Sequence, residues 1–174
     1  MKKLEDYVVN IYDFPKPGII FRDVTGITNS PEAFHMAIDG LSEMLKDVEY
    51  DVIVACEARG FFFGAPLAYN LNKQFIPARK KGKLPRETVS ISYALEYGTA
   101  DIEIHKDDIK PGQKVVIIDD LLATGGTVAA CAELLESMGA EVVKCGFVIE
   151  LAGLEGRKLL KKYDVAALIT YEGK

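Results

Sequence analysis

The chain has 174 residues, 49% of them hydrophobic and 27% charged, with a formal net charge of −5. That length suits one domain spanning 1–174 with a substantial core, and the composition is ordinary for a water-soluble globular enzyme. The acidic balance argues against nucleic acid as a partner, and no apolar run approaches the ~20 residues that span a bilayer. The start, Met-Lys-Lys-Leu-Glu-Asp, carries acids and lacks an apolar signal core, so secretion is not expected. Cys56, Cys131 and Cys145 are odd in number and widely spaced. They fit neither a disulfide framework nor a zinc cluster, and read as buried thiols in a reducing cytoplasm.

In chain order, residues 4–12 have helical spacing, and Phe14-Pro15-Lys16-Pro17-Gly18 enforces an extended turn. Ser30-Pro31 starts a helix with Ser at the cap and Pro at the first helical position. Phe34, Ile38, Leu41, Leu45 and Val48 form its buried stripe. Residues 51–56 read as a buried strand, 62–70 as a helix and 74–80 as the next strand. Phe61, Phe62 and Phe63 read as helix–sheet core rather than a base-stacking platform. Residues 81–106 alternate loosely and contain Thr, Val, Ile and Tyr, which predicts an extended β-arm, a flexible loop outside the core. Residues 114–120, 141–151 and 165–171 are further strands, with a helix expected over 154–163. Strands separated by helical patterns imply right-handed crossovers and an α/β fold: a Rossmann-like parallel sheet flanked by helices. His35 and His105 have no partner at metal-ligand or triad spacing and read as structural or exposed.

The segment Val115-Val116-Ile117-Ile118-Asp119-Asp120-Leu121-Leu122-Ala123-Thr124-Gly125-Gly126-Thr127 is the most informative. Four β-branched residues in a row read as a buried parallel strand. Two carboxylates come next, at its carboxyl end, where open α/β sheets place ligands. The small-residue loop then lets successive backbone N–H groups converge at a helix start, an arrangement that binds a phosphate dianion. Thr124 and Thr127 add hydroxyl donors, and one of them is a candidate helix cap. Neither a Walker A loop nor a dinucleotide fingerprint is present. Asp119 and Asp120 suit the vicinal hydroxyls of a ribose whose 5-phosphate reaches the loop. Arg79, Lys80, Lys81, Lys83 and Arg86 form the dense basic run, broken by Gly82 and Pro85 and so a loop.

With those residues in place, the chain resembles the type I phosphoribosyltransferase family, whose signature is this strand and loop. Asp13-Phe14-Pro15-Lys16-Pro17-Gly18-Ile19-Ile20-Phe21-Arg22-Asp23, Glu57-Ala58-Arg59-Gly60-Phe61, Arg79-Lys80-Lys81-Gly82-Lys83-Leu84-Pro85 and Tyr93-Ala94-Leu95-Glu96-Tyr97-Gly98 resemble its adenine-specific branch, in the family's order. One departure is Gly26, where the family more often has Pro; a loosened local turn is expected there. The resemblance implies transfer of a 5-phosphoribosyl group from 5-phosphoribosyl 1-pyrophosphate to adenine, giving AMP and pyrophosphate. It implies Mg²⁺ carried mainly on the pyrophosphate, with no metal ligand directly from the protein, and a homodimer with the 79–83 loop near the partner's site. Glu57, Ala58, Arg59, Arg79, Lys80, Lys83, Asp119, Asp120, Ala123, Thr124, Gly125, Gly126 and Thr127 would hold the activated sugar. Ile20, Phe21, Arg22 and Leu151 would form the adenine pocket, and Glu96, with Arg59, would serve catalysis. Two alternatives stay open: another purine base as acceptor, or a regulator that binds the sugar without turnover. About a dozen residues precede the first family block, too few for a DNA-binding module that such a regulator would need.

Overall fold

The computed structural model describes residues 2–95 and 98–173. A single 3-10 turn, Leu4–Tyr7, leads into strand β1 (Val9–Tyr12), which pairs antiparallel with β2 (Ile20–Asp23), Val9 opposite Asp23 and Tyr12 opposite Ile20. The helix expected over 4–12 is therefore a turn and a strand. Val8, Val9 and Ile11 are β-branched, and the run Ile19-Ile20-Phe21 supplies a strand partner that local periodicity does not reveal. Asp13 closes the hairpin by accepting the Gly18 N–H at 2.7 Å. The short helix α1 (Thr25–Thr28) comes after it. A Cβ on Gly26 would lie 2.1 Å from the Tyr7 carbonyl oxygen. The turn expected to be loose is thus a point of close backbone approach, where no side chain fits.

Helix α2 (Pro31–Leu45) begins as its sequence predicts: Ser30 Oγ accepts the Ala33 N–H at 3.3 Å, with Pro in the first turn. Ala33, Ala37, Ile38, Leu41 and Leu45 are its buried side chains. Phe34 packs edge-to-face on Phe63, with ring centroids 6.0 Å apart. The rest of the chain builds β3 (Val52–Cys56), α3 (Gly60–Asn70), β4 (Gln74–Lys80), β5 (Thr88–Ala94), β6 (Thr99–His105), β7 (Lys114–Leu122), α4 (Gly126–Ser137), β8 (Glu141–Leu151) and β9 (Val165–Tyr171).

These strands form one sheet in the order β5-β6-β4-β3-β7-β8-β9. From β4 to β9 all neighbours are parallel; β6 joins β4, and β5 joins β6, antiparallel. Both faces are covered, which is why the central strands are apolar on both sides. Along β3, Val52, Val54 and Cys56 face the cluster that includes α4, while Ile53 faces the cluster of α2 and α3. Phe63 belongs to the latter core and Phe61 packs on Phe75, whereas Phe62 is exposed, contrary to a core position for all three.

Two further expectations are corrected. The 81–106 segment is the extended β-arm expected, but it is not outside the core: β5 and β6 form a hairpin joined to β4 at Arg79–Glu103 and Lys80–Ile102, with Ile102 and Ile104 buried. Its alternation, loose in sequence, has a fixed partner because β4 extends beyond β3 and offers an edge. The helix expected over 154–163 is replaced by two 3-10 turns, Ala152–Leu154 and Gly156–Lys158, around Glu155 at φ 56°. A Cβ on Gly156 would meet the Ala123 carbonyl at 2.4 Å, so the chain is drawn against the 123–127 loop where a regular helix would not track it. Arg157 fixes that turn with Nε and Nη2 on the buried Glu150 carboxylate, at 2.7 and 2.8 Å. Among the described residues no helix is long and apolar enough to cross a membrane.

Candidate active site

The parallel register sets Val52 beside Val115 and Ala55 beside Ile118, so β3 and β7 run out side by side. Glu57-Ala58-Arg59, just past β3, and Asp119-Asp120, near the end of β7, are therefore brought together at the carboxyl edge of the sheet. The two segments line one cleft of about 650 Å³ with the 123–127 loop, Arg79 and Lys80. That volume lies within the usual range for small-molecule sites.

The Asp pair belongs to β7 rather than to the loop. Asp120 is buried and accepts Arg59 Nε at 2.6 Å. Asp119 turns one carboxylate oxygen to the Asp120 N–H at 2.9 Å. Although part of the residue faces the cleft, its carboxyl is packed into the floor. Burial, with the neighbouring Asp120 charge second, holds its pKa well above the usual carboxylate range. Gly60 allows this crowding: a Cβ there would stand 2.8 Å from Asp119 Oδ1. It starts α3 directly behind Arg59 and lets that helix approach the end of β7.

The loop is held by backbone geometry. Gly125 sits at φ 83° as the N-cap of α4, and a Cβ on it would lie 2.7 Å from the Gly156 carbonyl. Neither Thr124 nor Thr127 caps the helix. The first-turn N–H groups of α4 thus have no side-chain cap, the condition in which a helix start attracts an anion.

On the opposite wall, Glu57 accepts Arg79 Nε at 3.0 Å and the Lys80 N–H at 2.8 Å. Its carboxylate orients the basic end of β4. Lys83 is not part of the cleft lining; its carbonyl accepts Arg79 Nη1 at 3.5 Å. Lys81 and Arg86 pair with Asp101 and Asp108, while Lys80 lines the cleft. Arg86 and Asp108 also flank His105, which is buried and structural; His35 is exposed.

The four residues expected around a base lie beside the cleft rather than in its lining. The Phe21 ring is 5.7 Å from the Arg59 guanidinium carbon. Arg22 stacks on Tyr171 at 4.0 Å and donates to Asn10 at 2.6 Å. Its Nε is buried without a hydrogen-bond partner among the described residues. Leu151 is buried at the end of β8, paired with Tyr171, and Ile20 is on the same ribbon as Phe21. Glu96 lies outside the described residues.

Sequence reasoning missed several lining residues, chiefly Tyr93, Leu95, Ile102 and Phe147. The available signal was the every-second-residue spacing of Val89, Ile91 and Tyr93. All three cysteines are free and buried. A hydrogen bond with Cys131, then burial, pushes the Cys56 thiol well up, and burial takes Cys145 to about 12, so the Cys56 and Cys145 thiols stay protonated.

The phosphoribosyl transferase domain family matches residues 24–171. The adenine phosphoribosyltransferase of Lachnoclostridium phytofermentans is 63% identical over 174 residues, covering 100% of both chains. The crystal structure of adenine phosphoribosyltransferase from Thermoanaerobacter pseudethanolicus is 51% identical with a TM-score of 0.93, covering 97% of this chain and 100% of its own. That of the Saccharomyces cerevisiae enzyme, complexed with D-2,5-dideoxy-2,5-imino-altritol 1,6-bisphosphate and adenine, is 41% identical with a TM-score of 0.89, covering 95% and 96%.

Proposed function

The chain belongs to the phosphoribosyl transferase family, and on that premise we propose that its cleft transfers the 5-phosphoribosyl group of 5-phosphoribosyl 1-pyrophosphate to adenine, yielding AMP and pyrophosphate in purine salvage. One observation carries the reading: the Asp119–Asp120 pair, Arg59 and the uncapped start of α4 line a single cleft. A phosphate at the loop, ribose hydroxyls at the carboxylates and a pyrophosphate between Arg59 and the Arg79–Lys80 wall fit that order of groups.

Purine N9 attacks the anomeric carbon as the bond to pyrophosphate breaks, through an oxocarbenium-like sugar. Alignment and charge management are then the protein's tasks. The 123–127 loop anchors the 5-phosphate and the Asp pair orients the ring. Arg59 and Lys80 offset the charge on the leaving group. Phe21, close to Arg59, covers the purine from the hairpin side, with Ile20, Arg22 and Leu151 behind it. Glu96, outside the described residues, is the group assigned to proton exchange with a ring nitrogen.

Mg²⁺ fits as a partner of the substrate. It favours one or two carboxylates together with substrate phosphates, and of the cleft carboxylates Glu57 is engaged with Arg79 and Asp120 with Arg59. The Asp119 carboxyl is packed into the floor against the Asp120 N–H, so the ion would be held mainly through the pyrophosphate. When bound, the ion adds charge neutralisation on the pyrophosphate. The protein acts in the cytoplasm, which its buried free thiols support. It acts as a homodimer, supported by the exposed apolar side chains of the hairpin, Val9, Ile11, Tyr12, Phe14 and Ile19.

The test is pyrophosphate release with adenine, guanine, hypoxanthine and xanthine as acceptors. Adenine should react far faster than the others, since a pocket matched to its donor and acceptor edge leaves polar groups unpaired against hypoxanthine. Comparable turnover of hypoxanthine would remove the adenine assignment.

A further inference from the structure

In β5, Val89, Ile91 and Tyr93 are half-buried, as is Thr88 at the strand start, while Ser90, Ser92 and Ala94 are exposed. Their cross-strand partners in β6 are Ile104, Ile102 and Ala100. This inner face packs into the same core as α4. Tyr93 is its last member before the hairpin tip, and its hydroxyl reaches past the core to lie 3.3 Å from Thr127 Oγ1. Thr127 is the second residue of α4, so the contact joins the arm to the loop assigned above to the 5-phosphate.

We propose that Tyr93 is a positioning residue: it holds the Thr127 hydroxyl for the 5-phosphate and thereby ties the arm to the occupied loop. The inference rests on the loop being the phosphate cradle. In the ligand-free protein either hydroxyl can donate to the other. A phosphate dianion only accepts, so a bound phosphate obliges Thr127 to donate to it and to accept from Tyr93. The chain then runs one way, from Tyr93 O–H to Thr127 O–H to phosphate. Its charged end strengthens the near bond, and polarisation passes part of that gain to the outer one. Sugar-phosphate binding would therefore tighten the arm's hold on α4. Leu95, two residues on, lines the cleft and donates its N–H to the Gly98 carbonyl at 3.0 Å. Anchoring Tyr93 thus fixes the strand that carries Leu95 to the cleft wall.

The experiment measures affinity for ribose 5-phosphate by calorimetry in the full chain and in Tyr93→Phe, Thr127→Val, Thr127→Ser and the Tyr93→Phe/Thr127→Val double variant. Tyr93→Phe keeps the packed ring and should weaken binding roughly three- to tenfold, the scale of one such hydrogen bond. It should raise KM for the activated sugar by a similar factor with kcat little changed. Thr127→Val should weaken binding further, and the double variant should be no weaker than Thr127→Val alone. Thr127→Ser keeps the hydroxyl and should bind close to the wild type. Hydrogen exchange over residues 88–94 should slow on adding ribose 5-phosphate to the wild type and not to Tyr93→Phe. Wild-type affinity in Tyr93→Phe beside a weakened Thr127→Val, or additive losses in the double variant, would overturn the proposal alone. Unchanged affinity in Thr127→Val would overturn the phosphate-cradle reading and the proposal with it.

Discussion

The floor and loop at the end of β7 rest on five neighbouring parallel strands, with a buried carboxylate and glycines packed so closely that no Cβ would fit. The β1–β2 hairpin on the other side is a separate two-stranded ribbon whose first strand is exposed at every residue. Both flank Arg59, which pairs with Asp120 on one side and lies 5.7 Å from the Phe21 ring on the other. The difference teaches how the two halves of a substrate are handled. Charged sugar-phosphate groups need fixed dipoles in a rigid frame, because electrostatic stabilisation depends on groups already in place. A flat base needs an apolar face and a few polar edges, which a light ribbon can carry.

The largest effect expected from this contrast is at the floor. Replacing Asp119 and Asp120 together with Asn keeps shape but removes the Asp120 charge that holds Arg59 and the carboxyl groups offered to the ribose hydroxyls; one hydrogen bond to a charged group is worth roughly 1.5–3 kcal/mol. Catalytic efficiency should fall on the order of a hundredfold or more. Near-normal steady-state kinetics in a folded double variant would break the distinction between the two regions.

The hairpin should respond more gently and more selectively. Phe21→Ala removes an aromatic contact worth about 0.5–1.5 kcal/mol, so KM for adenine should rise roughly two- to tenfold. Affinity for ribose 5-phosphate and the melting temperature should stay near the wild type, because Phe21 lies outside the main sheet. A matching loss of ribose 5-phosphate affinity would show that the two halves are not separable.

The smallest effect concerns stability against pH in the ligand-free protein. Asp119 has a folded pKa raised above the unfolded one by burial and by Asp120. Its neutral form is the favoured one in the fold. The protein is therefore least burdened below the ordinary value of about 3.9, and loses stability as pH rises through the folded value. Asp119→Asn removes that titration, so it should melt close to the wild type in acid and above it as pH rises. A gap of a few degrees is expected, about 2–4 °C for each kcal/mol in a chain of this size. A gap independent of pH, measured by thermal melts across the acid to neutral range, would mean that the floor carries no ionisation strain.

What the chain's own order of residues determined was local. Strands over 51–56, 74–80, 114–120, 141–151 and 165–171 were legible, to within two residues of their ends, because buried parallel strands concentrate β-branched residues. The Ser30-Pro31 helix start was legible because its cap is made within four residues. The Asp-Asp and Thr-Gly-Gly-Thr groups of the site were legible because a strand end and the loop after it are contiguous in sequence. The tertiary structure alone decided what depends on partners distant along the chain. Arg59 meets Asp120 only through the β3–β7 register. The 81–106 arm becomes sheet only because β4 offers an edge, which brings Tyr93 to Thr127 across 34 positions. The helix expected over 154–163 gives way to short turns because Gly156 must pass the Ala123 carbonyl. Propensity and periodicity act over a few residues, whereas close approach and pairing are set by which segments the sheet makes neighbours.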